Sequence, residues 1–284
     1  SLFGKLRRID ADVYVQRCAG VETGIVAYFC RPFRKPWLFS VASDADLDGR
    51  FESGNPYWIR RGFRYGIRSA GEVVCQNGVQ RESLNRRFGR SGRTILSLCE
   101  VPGSYPEPDG GSILWVSRCV PLKQPERFIE LARELPDLRF VMIMNDGPDP
   151  AYNSTTFANA RSVENLELIR HVAYQDIDVY FRNARVLVST AEFEGFPNAF
   201  LQAMKHGVPV VSFAVNPNEI LTRERAGLFA DGDFGRLKEA VLRLATDDNI
   251  HLELSRNAFD YVSRHHDLRK LTELYKQLLR GLLD

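Results

Sequence analysis

The feature of this sequence that most constrains its fold is the run from residue 185 to residue 211. A β-like segment at 185–190 leads into an acidic, glycine-containing turn and then into a helix-forming segment. Pro197 suits the first turn of that helix, and Gly207 stands where helices often end in the left-handed conformation. A second β-like segment, 208–212, begins directly afterwards. Strand, turn, helix and strand in this order predict a parallel βαβ unit.

The turn between that strand and that helix predicts binding of a phosphorylated molecule that carries hydroxyl groups. Backbone N–H groups and the positive end of a helix dipole point above the sheet at such a turn, which favours an anion such as phosphate. The carboxylates of Glu192 and Glu194 suit hydroxyl groups instead. A phosphate-linked polyol is therefore the first substrate hypothesis, and a nucleotide sugar is the commonest such molecule.

Strand-like and helix-like segments alternate along nearly the whole chain, which predicts parallel sheets with helices on both faces. The predicted strands are 13–15, 37–41, 73–76, 94–98, 113–117, 140–144, 166–169, 186–189, 208–212 and 227–229. The predicted helices lie near 20–30, 56–69, 78–88, 124–135, 175–183, 197–206, 233–246, 249–263 and 267–282.

A proline- and glycine-rich stretch at 100–111 divides this pattern, with three residues of each type in twelve. The alternation after it forms a complete doubly wound unit, whereas the part before it resembles only the tail end of one. The expected organisation has four parts: a partial N-terminal Rossmann-like domain at 1–103, a linker at 104–111, a C-terminal Rossmann-like domain at 112–266, and a C-terminal helix at 267–284 that packs back on the first domain.

Composition and charge describe an ordinary globular chain with one asymmetry. Of the 284 residues, 44% are hydrophobic and 26% charged. The five scattered cysteines have no metal-site spacing and predict reduced, buried thiols in a cytoplasmic protein. Residues 1–103 carry 17 Lys and Arg against 10 Asp and Glu. This basic part indicates either an anionic neighbour, such as a membrane surface or a phosphorylated acceptor, or simply well-solvated helices.

A second motif follows the linker. The predicted strand 113–117 ends at Ser117, a short loop carries Arg118 and Lys123, and a helix begins near Pro125. Ligands of open α/β sheets bind beyond the carboxyl ends of the strands, where this loop is expected. Arg118 and Lys123 can hold a diphosphate there. The alternative is two surface cations, and the acidic turn that follows in the same unit favours the diphosphate.

Together the two motifs resemble those of the retaining GT-B glycosyltransferases of glycosyltransferase family 4. The resemblance rests on Ser117-Arg118, Lys123, Glu194-Gly195-Phe196, Gln202-Ala203-Met204 and Gly207-Val208-Pro209-Val210-Val211. Weaker likenesses occur at 145–148, at His171-Val172 with Tyr180, and at 77–79. The resemblance implies an α/β chain of GT-B type, with two Rossmann-like domains facing a cleft, the N-terminal one incomplete.

The resemblance also implies roles for particular residues. Arg118 and Lys123 bind the donor diphosphate and stabilise the leaving group, and Glu194 contacts the donor sugar. Gln202 takes the place of the family's second glutamate, which bonds the nucleotide ribose. The remaining donor-binding residues expected from the family are Ser117, Gly147, Val172, Glu192, Gly195, Phe196, Pro197 and Asn198. No metal and no cofactor is expected, and the donor is a nucleotide sugar such as a UDP- or GDP-sugar.

The predicted function is metal-independent transfer of a sugar, with retention of configuration, to a saccharide or lipid-linked acceptor in polysaccharide biosynthesis. The alternative is a catalytically incomplete module that binds a nucleotide sugar without turnover. A dehydrogenase would need Gly-x-Gly-x-x-Gly after an early strand, and the sequence has none. No motif supports nucleic-acid binding. The predicted location is the cytoplasm, with peripheral contact at the inner membrane face as an additional possibility.

Three further features have competing interpretations. Ser43 and Asp44 are acceptor-side candidates, since the family's histidine near the sugar is missing there. The run Asp44-Ala45-Asp46 also matches a metal motif but is interpreted as a loop.

The helix predicted at 56–69 has apolar and arginine stripes, so it fits a membrane-surface helix. Its place between two strands favours a helix that covers the sheet. Besides His171, the four remaining histidines, His206, His251, His265 and His266, are expected at the surface.

Overall fold

The computed structural model of the protein describes residues 2–108 and 110–283. The chain divides into two compact units. The first unit comprises Ser1–Leu98 and Leu268–Asp284, and the second comprises Cys99–Asp267.

The first unit is built on a parallel sheet with the strand order β1-β2-β3-β4. Its strands are β1 Tyr14–Arg17, β2 Trp37–Ser40, β3 Glu72–Cys75 and β4 Arg93–Thr94. Its helices up to the end of the sheet are α1 Leu2–Ile9, α2 Val21–Cys30, α3 Ala45–Asp48, α4 Arg50–Ser53, α5 Tyr57–Ser69 and α6 Gly78–Phe88. The fourth strand is much shorter than the predicted segment 94–98.

Glycines allow α2 and α5 to pack closely against each other. A β-carbon on Gly66 would lie 2.8 Å from the carbonyl oxygen of Thr23, which is closer than real contacts allow. On the inner side of α5, Phe63 and Ile67 are completely buried. The prediction that this helix covers the sheet is therefore confirmed, because its apolar stripe lies in the core of the first unit.

The second unit is built on a six-stranded parallel sheet with the order β10-β9-β8-β5-β6-β7. Its strands are β5 Ser112–Arg118, β6 Phe140–Asn145, β7 Leu166–Ile169, β8 Ala184–Ser189, β9 Val210–Ser212 and β10 Gly227–Phe229. Its helices are α7 Pro125–Glu134, α8 Pro150–Arg161, α9 Asp178–Arg182, α10 Asn198–Met204, α11 Phe234–Thr246 and α12 Asp248–His265. This order is that of a doubly wound, Rossmann-like fold.

Both faces of the second sheet are covered. Ile113 and Trp115 of β5 belong to the hydrophobic cluster on one face, whereas Leu114 between them belongs to the cluster on the other. Successive strand residues point to opposite faces, so a strand buried on both sides is a continuous apolar run. The predicted alternation of strands and helices in this unit is confirmed except at α8.

Helix α8 was missed because its sequence is polar and carries only a weak apolar stripe. The start of the helix nevertheless carries the usual capping residues. The Asp149 carboxylate accepts hydrogen bonds from the N–H groups of Ala151 and Tyr152, and Pro150 occupies the first turn. The capping residues, rather than the periodicity, were the informative feature of this segment.

The stretch predicted as a linker packs on the second unit. The Tyr105 hydroxyl lies 2.7 Å from the Ser255 hydroxyl, and the Tyr105 ring is 5.6 Å from that of Phe259. A β-carbon on Gly110 would overlap the backbone of Asn183. The predicted boundary at 103–104 therefore lies inside the second unit, because side-chain contacts hold this proline-rich segment down.

The C-terminal helix α13, Leu268–Arg280, belongs to the first unit. Its Leu271 and Leu278 are buried in a cluster with Leu38 of β2 and Val74 of β3. The chain therefore passes between the two units at Leu98–Cys99 and again at Asp267–Leu268.

The prediction that the histidines lie at the surface is wrong for three of the four. His206, His251 and His266 are buried, and only His265 is exposed. Burial lowers the pKa of His206, although the Asp178 carboxylate 3.4 Å away opposes the shift. Helical context indicated a surface position, but each of the three lies at or near a helix end that packs against another element.

Candidate functional site

The candidate site lies where the strand order of the second sheet reverses. Strands β5 and β8 are neighbours, yet the chain continues from β5 towards β6 on one side and from β8 towards β9 on the other. Loops that leave a sheet in opposite directions open a crevice at the carboxyl ends of its strands, which is where open α/β sheets bind ligands. The two predicted motifs occupy the two loops at this point.

Strand β5 and the loop after it supply two cations. Arg118 ends β5 and is exposed, and its guanidinium group makes no hydrogen bond or ion pair with any residue that the structure describes. Lys123 closes a single 3₁₀ turn, Pro121–Lys123, and its side chain is 19% exposed. Gln124 adopts the left-handed conformation with φ of 46°, which ends the turn before α7 begins.

Lys123 and Glu194 form an ion pair across the two loops. The Glu194 side chain is 24% exposed, so both charges are half-buried rather than fully solvated. Beneath them is a cavity of about 20 Å³, room for one water molecule, between β5, β8 and α10. Among the residues lining this cavity are Ser117, Pro197 and both members of the pair.

Helix α10 is shorter than the predicted segment 197–206. It covers seven residues, no side chain caps its N-terminus, and Pro197 precedes it as N-cap. Asn198, its first residue, is exposed, and Gly195 and Phe196 in the preceding turn are half-buried. Two helical turns give only a small dipole, so the cationic side chains are the main source of positive charge at this end of the sheet.

Glu192 is engaged with the opposite loop instead of pointing freely at a ligand. Its N–H donates to the Leu122 carbonyl at 3.1 Å, and its carboxylate accepts from the Gln124 side-chain amide. The Gln124 carbonyl oxygen in turn accepts from Arg127, whose guanidinium lies 4.1 Å from the centre of the Phe213 ring. Sequence reasoning missed Gln124 and Arg127, which carry no motif of their own.

Gln202 lies beside the segment that follows β7. Its amide nitrogen donates to the Tyr174 hydroxyl at 3.3 Å. Its carbonyl oxygen is enclosed and has no hydrogen-bond partner within residues 2–108 and 110–283. Val172 is half-buried nearby in sequence, whereas Tyr174 is 82% exposed. Tyr174 was also missed, although an aromatic residue two positions after a predicted base contact could have been noticed.

Gly147 packs against the start of the loop that carries Arg118 and Lys123. A β-carbon at this position would lie 1.8 Å from the carbonyl oxygen of Cys119, so only glycine fits. Its N–H donates to the Asn153 side chain at 2.9 Å, and its carbonyl accepts from the same amide at 2.9 Å. Gly147 thus fixes the distance between the loop after β6 and the residue that follows Arg118.

The two acceptor-side candidates belong to the first unit. Asp44 accepts hydrogen bonds from the side-chain amides of Asn77 at 3.2 Å and Gln80 at 2.8 Å. Asp46 is buried and accepts from the backbone N–H groups of Ala42 and Ser43. The loop interpretation of this Asp-x-Asp pattern is therefore wrong: Asp46 lies in the short helix α3 and bonds the backbone just before it, whereas Asp44 precedes that helix and bonds to the start of α6. In the described part of the chain no cluster of three potential metal ligands occurs.

Comparison with known proteins supports the resemblance in part of the chain. Residues 110–247 match the protein family described as Glycosyl transferases group 1. The chain is 24% identical over 165 residues to glycosyltransferase 1 domain-containing protein 1 of Xenopus tropicalis, covering 57% of this chain and 47% of that protein. It is 27% identical over 173 residues to an exopolysaccharide phosphotransferase of Streptomyces coelicolor, covering 55% and 18%. The chain thus spans less than half of the length of either relative.

Solved structures extend the likeness to the whole fold. HepE of Anabaena, solved in complex with UDP-glucose, is 15% identical with a TM-score of 0.81, over 99% of this chain and 82% of HepE. The sucrose-phosphate synthase of Thermosynechococcus elongatus is 16% identical with a TM-score of 0.78, over 99% and 76%. At these identities the likeness is one of fold. The prediction of an α/β chain of GT-B type with two Rossmann-like domains is confirmed.

Proposed function

We propose that this protein is a glycosyltransferase that moves a sugar from a nucleoside-diphosphate donor to an acceptor hydroxyl. The observation that carries the proposal is the set of Arg118, Lys123 and Glu194 at the point where the strand order reverses. Two cations and a carboxylate fit a diphosphate attached to a polyol. Further support comes from the family match over 110–247 and from the structural likeness to HepE, whose donor complex contains UDP-glucose.

In the proposed reaction the bond between the anomeric carbon and the diphosphate breaks, and its electron pair leaves with the nucleoside diphosphate. The acceptor oxygen forms the new bond on the same face, which gives retention, and its proton passes to the departing phosphate. Lys123 and Arg118 stabilise the charge that develops on the leaving group. Glu194 orients the sugar hydroxyls and favours positive charge at the anomeric carbon.

The other expected donor contacts surround these three residues in our proposal. Gln202 and Val172 would meet the ribose and the base, and Ser117 and Gly147 would frame the diphosphate. The turn residues Glu192, Gly195, Phe196, Pro197 and Asn198 would complete the sugar site, and Ser43 and Asp44 would serve the acceptor. We further propose that no metal takes part, because two cationic side chains supply the charge that a metal ion would provide.

The proposal is tested with donor binding and donor cleavage measured side by side. Calorimetry with UDP, GDP and their glucose conjugates identifies the donor, and release of the nucleoside diphosphate follows turnover with and without EDTA. Binding with cleavage, unchanged by EDTA, is the expected result. Binding without cleavage or transfer in the full-length protein supports the alternative of a catalytically incomplete module. A requirement for added Mg²⁺ contradicts metal independence.

We also infer a role in polysaccharide biosynthesis, supported by the likeness to an exopolysaccharide phosphotransferase, and a cytoplasmic location, supported by the cysteines. All five cysteines are free and four are buried. Burial raises the pKa of Cys75 to about 12 and that of Cys99 to about 11, which keeps these thiols protonated and unreactive. Unpaired buried thiols are usual in a reducing compartment. No helix in the described residues is long and apolar enough to cross a membrane.

Contact with an anionic membrane surface is proposed through the outer face of α5 and its neighbour α2. This basic-aromatic surface consists of Tyr28, Tyr57, Trp58, Arg60, Arg61, Arg64 and Arg68. Tyr57 and Trp58 are each 64% exposed, and α5 contains no acidic residue. Exposed aromatic side chains among arginines suit the boundary between head groups and acyl chains, where aromatic rings insert and guanidinium groups meet phosphates.

Replacing three arginines of this surface, R60Q/R61Q/R68Q, is expected to weaken binding to vesicles of phosphatidylglycerol about 100-fold. Each basic residue near an anionic bilayer contributes about 1 kcal/mol. Co-sedimentation at 0.15 M salt measures the partitioning. The matched control, R236Q/R243Q/R256Q, removes three exposed arginines of the second unit and is expected to leave the partitioning unchanged. Equal binding of the wild-type protein to phosphatidylglycerol and phosphatidylcholine vesicles would contradict the proposal.

A further inference from the structure

We propose that Thr190 is a positioning residue of the donor site, whose hydroxyl fixes the main chain of Lys123. The inference rests on the proposed function, because Thr190 acts through Lys123. Thr190 is the first residue after β8 and is completely buried, so it cannot touch a donor itself. Its place in the sequence is 67 residues from Lys123, and the fold brings the two together.

Two consecutive hydrogen bonds run through this hydroxyl, the first buried and the second partly buried. The indole N–H of Trp115 donates to the Thr190 oxygen at 2.9 Å, and Thr190 donates to the Lys123 carbonyl oxygen at 2.6 Å. Indole N–H can only donate and a carbonyl can only accept, so the direction of both bonds is fixed by chemistry. Trp115 is itself 2% exposed and is part of β5. These two hydrogen bonds therefore link β5 and the end of β8 to the loop that carries Arg118 and Lys123.

Two further residues of the segment 190–194 also contact the loop after β5. The N–H of Glu192 donates to the Leu122 carbonyl at 3.1 Å, and the Glu194 carboxylate pairs with the Lys123 ammonium group. Every second residue of the segment 190–194 thus contacts the loop after β5. Of these three contacts, the one from the completely buried Thr190 involves only a hydroxyl and a main-chain carbonyl, so ligand binding leaves it in place. The Lys123–Glu194 pair, by contrast, must rearrange when a diphosphate binds the ammonium group.

Positioning of this kind affects the rate more than the affinity. The charge on the leaving group grows in the transition state, and a cation held at the correct place stabilises that charge without reorganising. A displacement of about 1 Å can cost a factor of about 100 in rate. A threonine suits the task because its branched side chain has few rotamers, so the hydroxyl stays aimed at the carbonyl.

Replacing Thr190 with valine is therefore expected to lower kcat for donor cleavage about 10- to 100-fold, with KM for UDP-glucose changed less than about threefold. Valine keeps the shape and removes the hydroxyl. T190S restores the hydroxyl and is expected to recover kcat to within about threefold of the wild type. T190A gives a second variant with the same expectation as T190V, in case valine impairs folding.

A double-mutant cycle with K123M separates positioning from a general loss of structure. If Thr190 acts through Lys123, the loss from T190V largely disappears in the K123M background. The matched control T23V removes another completely buried threonine hydroxyl with two hydrogen bonds, in the first unit, and is expected to leave kcat for donor cleavage unchanged.

Three results overturn the inference: wild-type kcat in T190V, no recovery in T190S, or additive losses in the cycle. A wild-type protein that binds neither UDP nor GDP and cleaves no nucleotide sugar overturns the proposed function, and the inference with it. The two failures are distinguishable, because only the second is seen in the unsubstituted protein.

Discussion

Replacing Lys123 with methionine is expected to lower the rate of donor cleavage by a factor of about 10²–10³. Methionine keeps most of the length of the side chain and removes the charge that stabilises the departing diphosphate. The substitution also leaves the half-buried Glu194 carboxylate without its ion-pair partner. Steady-state release of the nucleoside diphosphate, measured at saturating donor, gives the change in kcat directly, and calorimetry with UDP gives the change in affinity.

The matched control is K238M. Lys238 of α11 also pairs with a glutamate, Glu134, at 2.7 Å, but both side chains are 40% exposed. An exposed pair contributes less than about 1 kcal/mol, and neither residue lines the cavity at the candidate site, so unchanged turnover is expected. A K123M protein that cleaves the donor within threefold of the wild-type rate would show that Lys123 is not the leaving-group cation.

Replacing Glu52 with alanine is expected to destabilise the first unit by roughly 3 kcal/mol. Glu52 is buried, and its two oxygens pair with Arg64 and Arg87, so one carboxylate joins α4, α5 and α6. Removal of the carboxylate leaves both arginines without a partner. The cost stays near the lower end for buried pairs, because these arginines are 54% and 30% exposed and can turn towards water. Hydrogen-exchange mass spectrometry reads the loss in peptides of the first unit.

The matched control in the same unit is E72A. Glu72 begins β3 and pairs with the exposed Arg93 at 3.5 Å, so its loss is expected to cost less than about 1 kcal/mol. Equal losses of stability in E52A and E72A would contradict the importance of the buried Glu52 carboxylate and its two arginine partners.

Glu52 also makes the stability of the first unit sensitive to acid. Burial alone would raise its pKa, but the hydrogen bonds from Arg64 and Arg87 outweigh burial and hold the pKa below its usual range. Its contribution is therefore present above the pKa of the unfolded chain and is lost as the pH falls through the lower, folded pKa. The difference between the wild type and E52Q is expected to shrink over that acid range.

The sequence predicted most of the strands and helices because their hydrophobic periodicity is a local property. It also predicted that the loops after β5 and β8 lie together, since the carboxyl ends of parallel strands share one edge of a sheet. Glu194 and Lys123 do meet at that edge. The sequence did not predict α8, whose polar composition hides its period, or the packing of 104–108 on the second unit.

What the sequence by itself determined is the class of fold and the residue types at the site, because periodicity, turns and motif spacing depend on neighbours along the chain. What only the tertiary structure decided is how those residues are held. The Thr190 hydroxyl meets the Lys123 carbonyl across 67 residues, and Gly147 must be glycine because the Cys119 carbonyl lies against it. The burial of His206, His251 and His266 is of the same kind. Such contacts join segments that are distant in sequence, so no local pattern encodes them, and folding alone brings their atoms together.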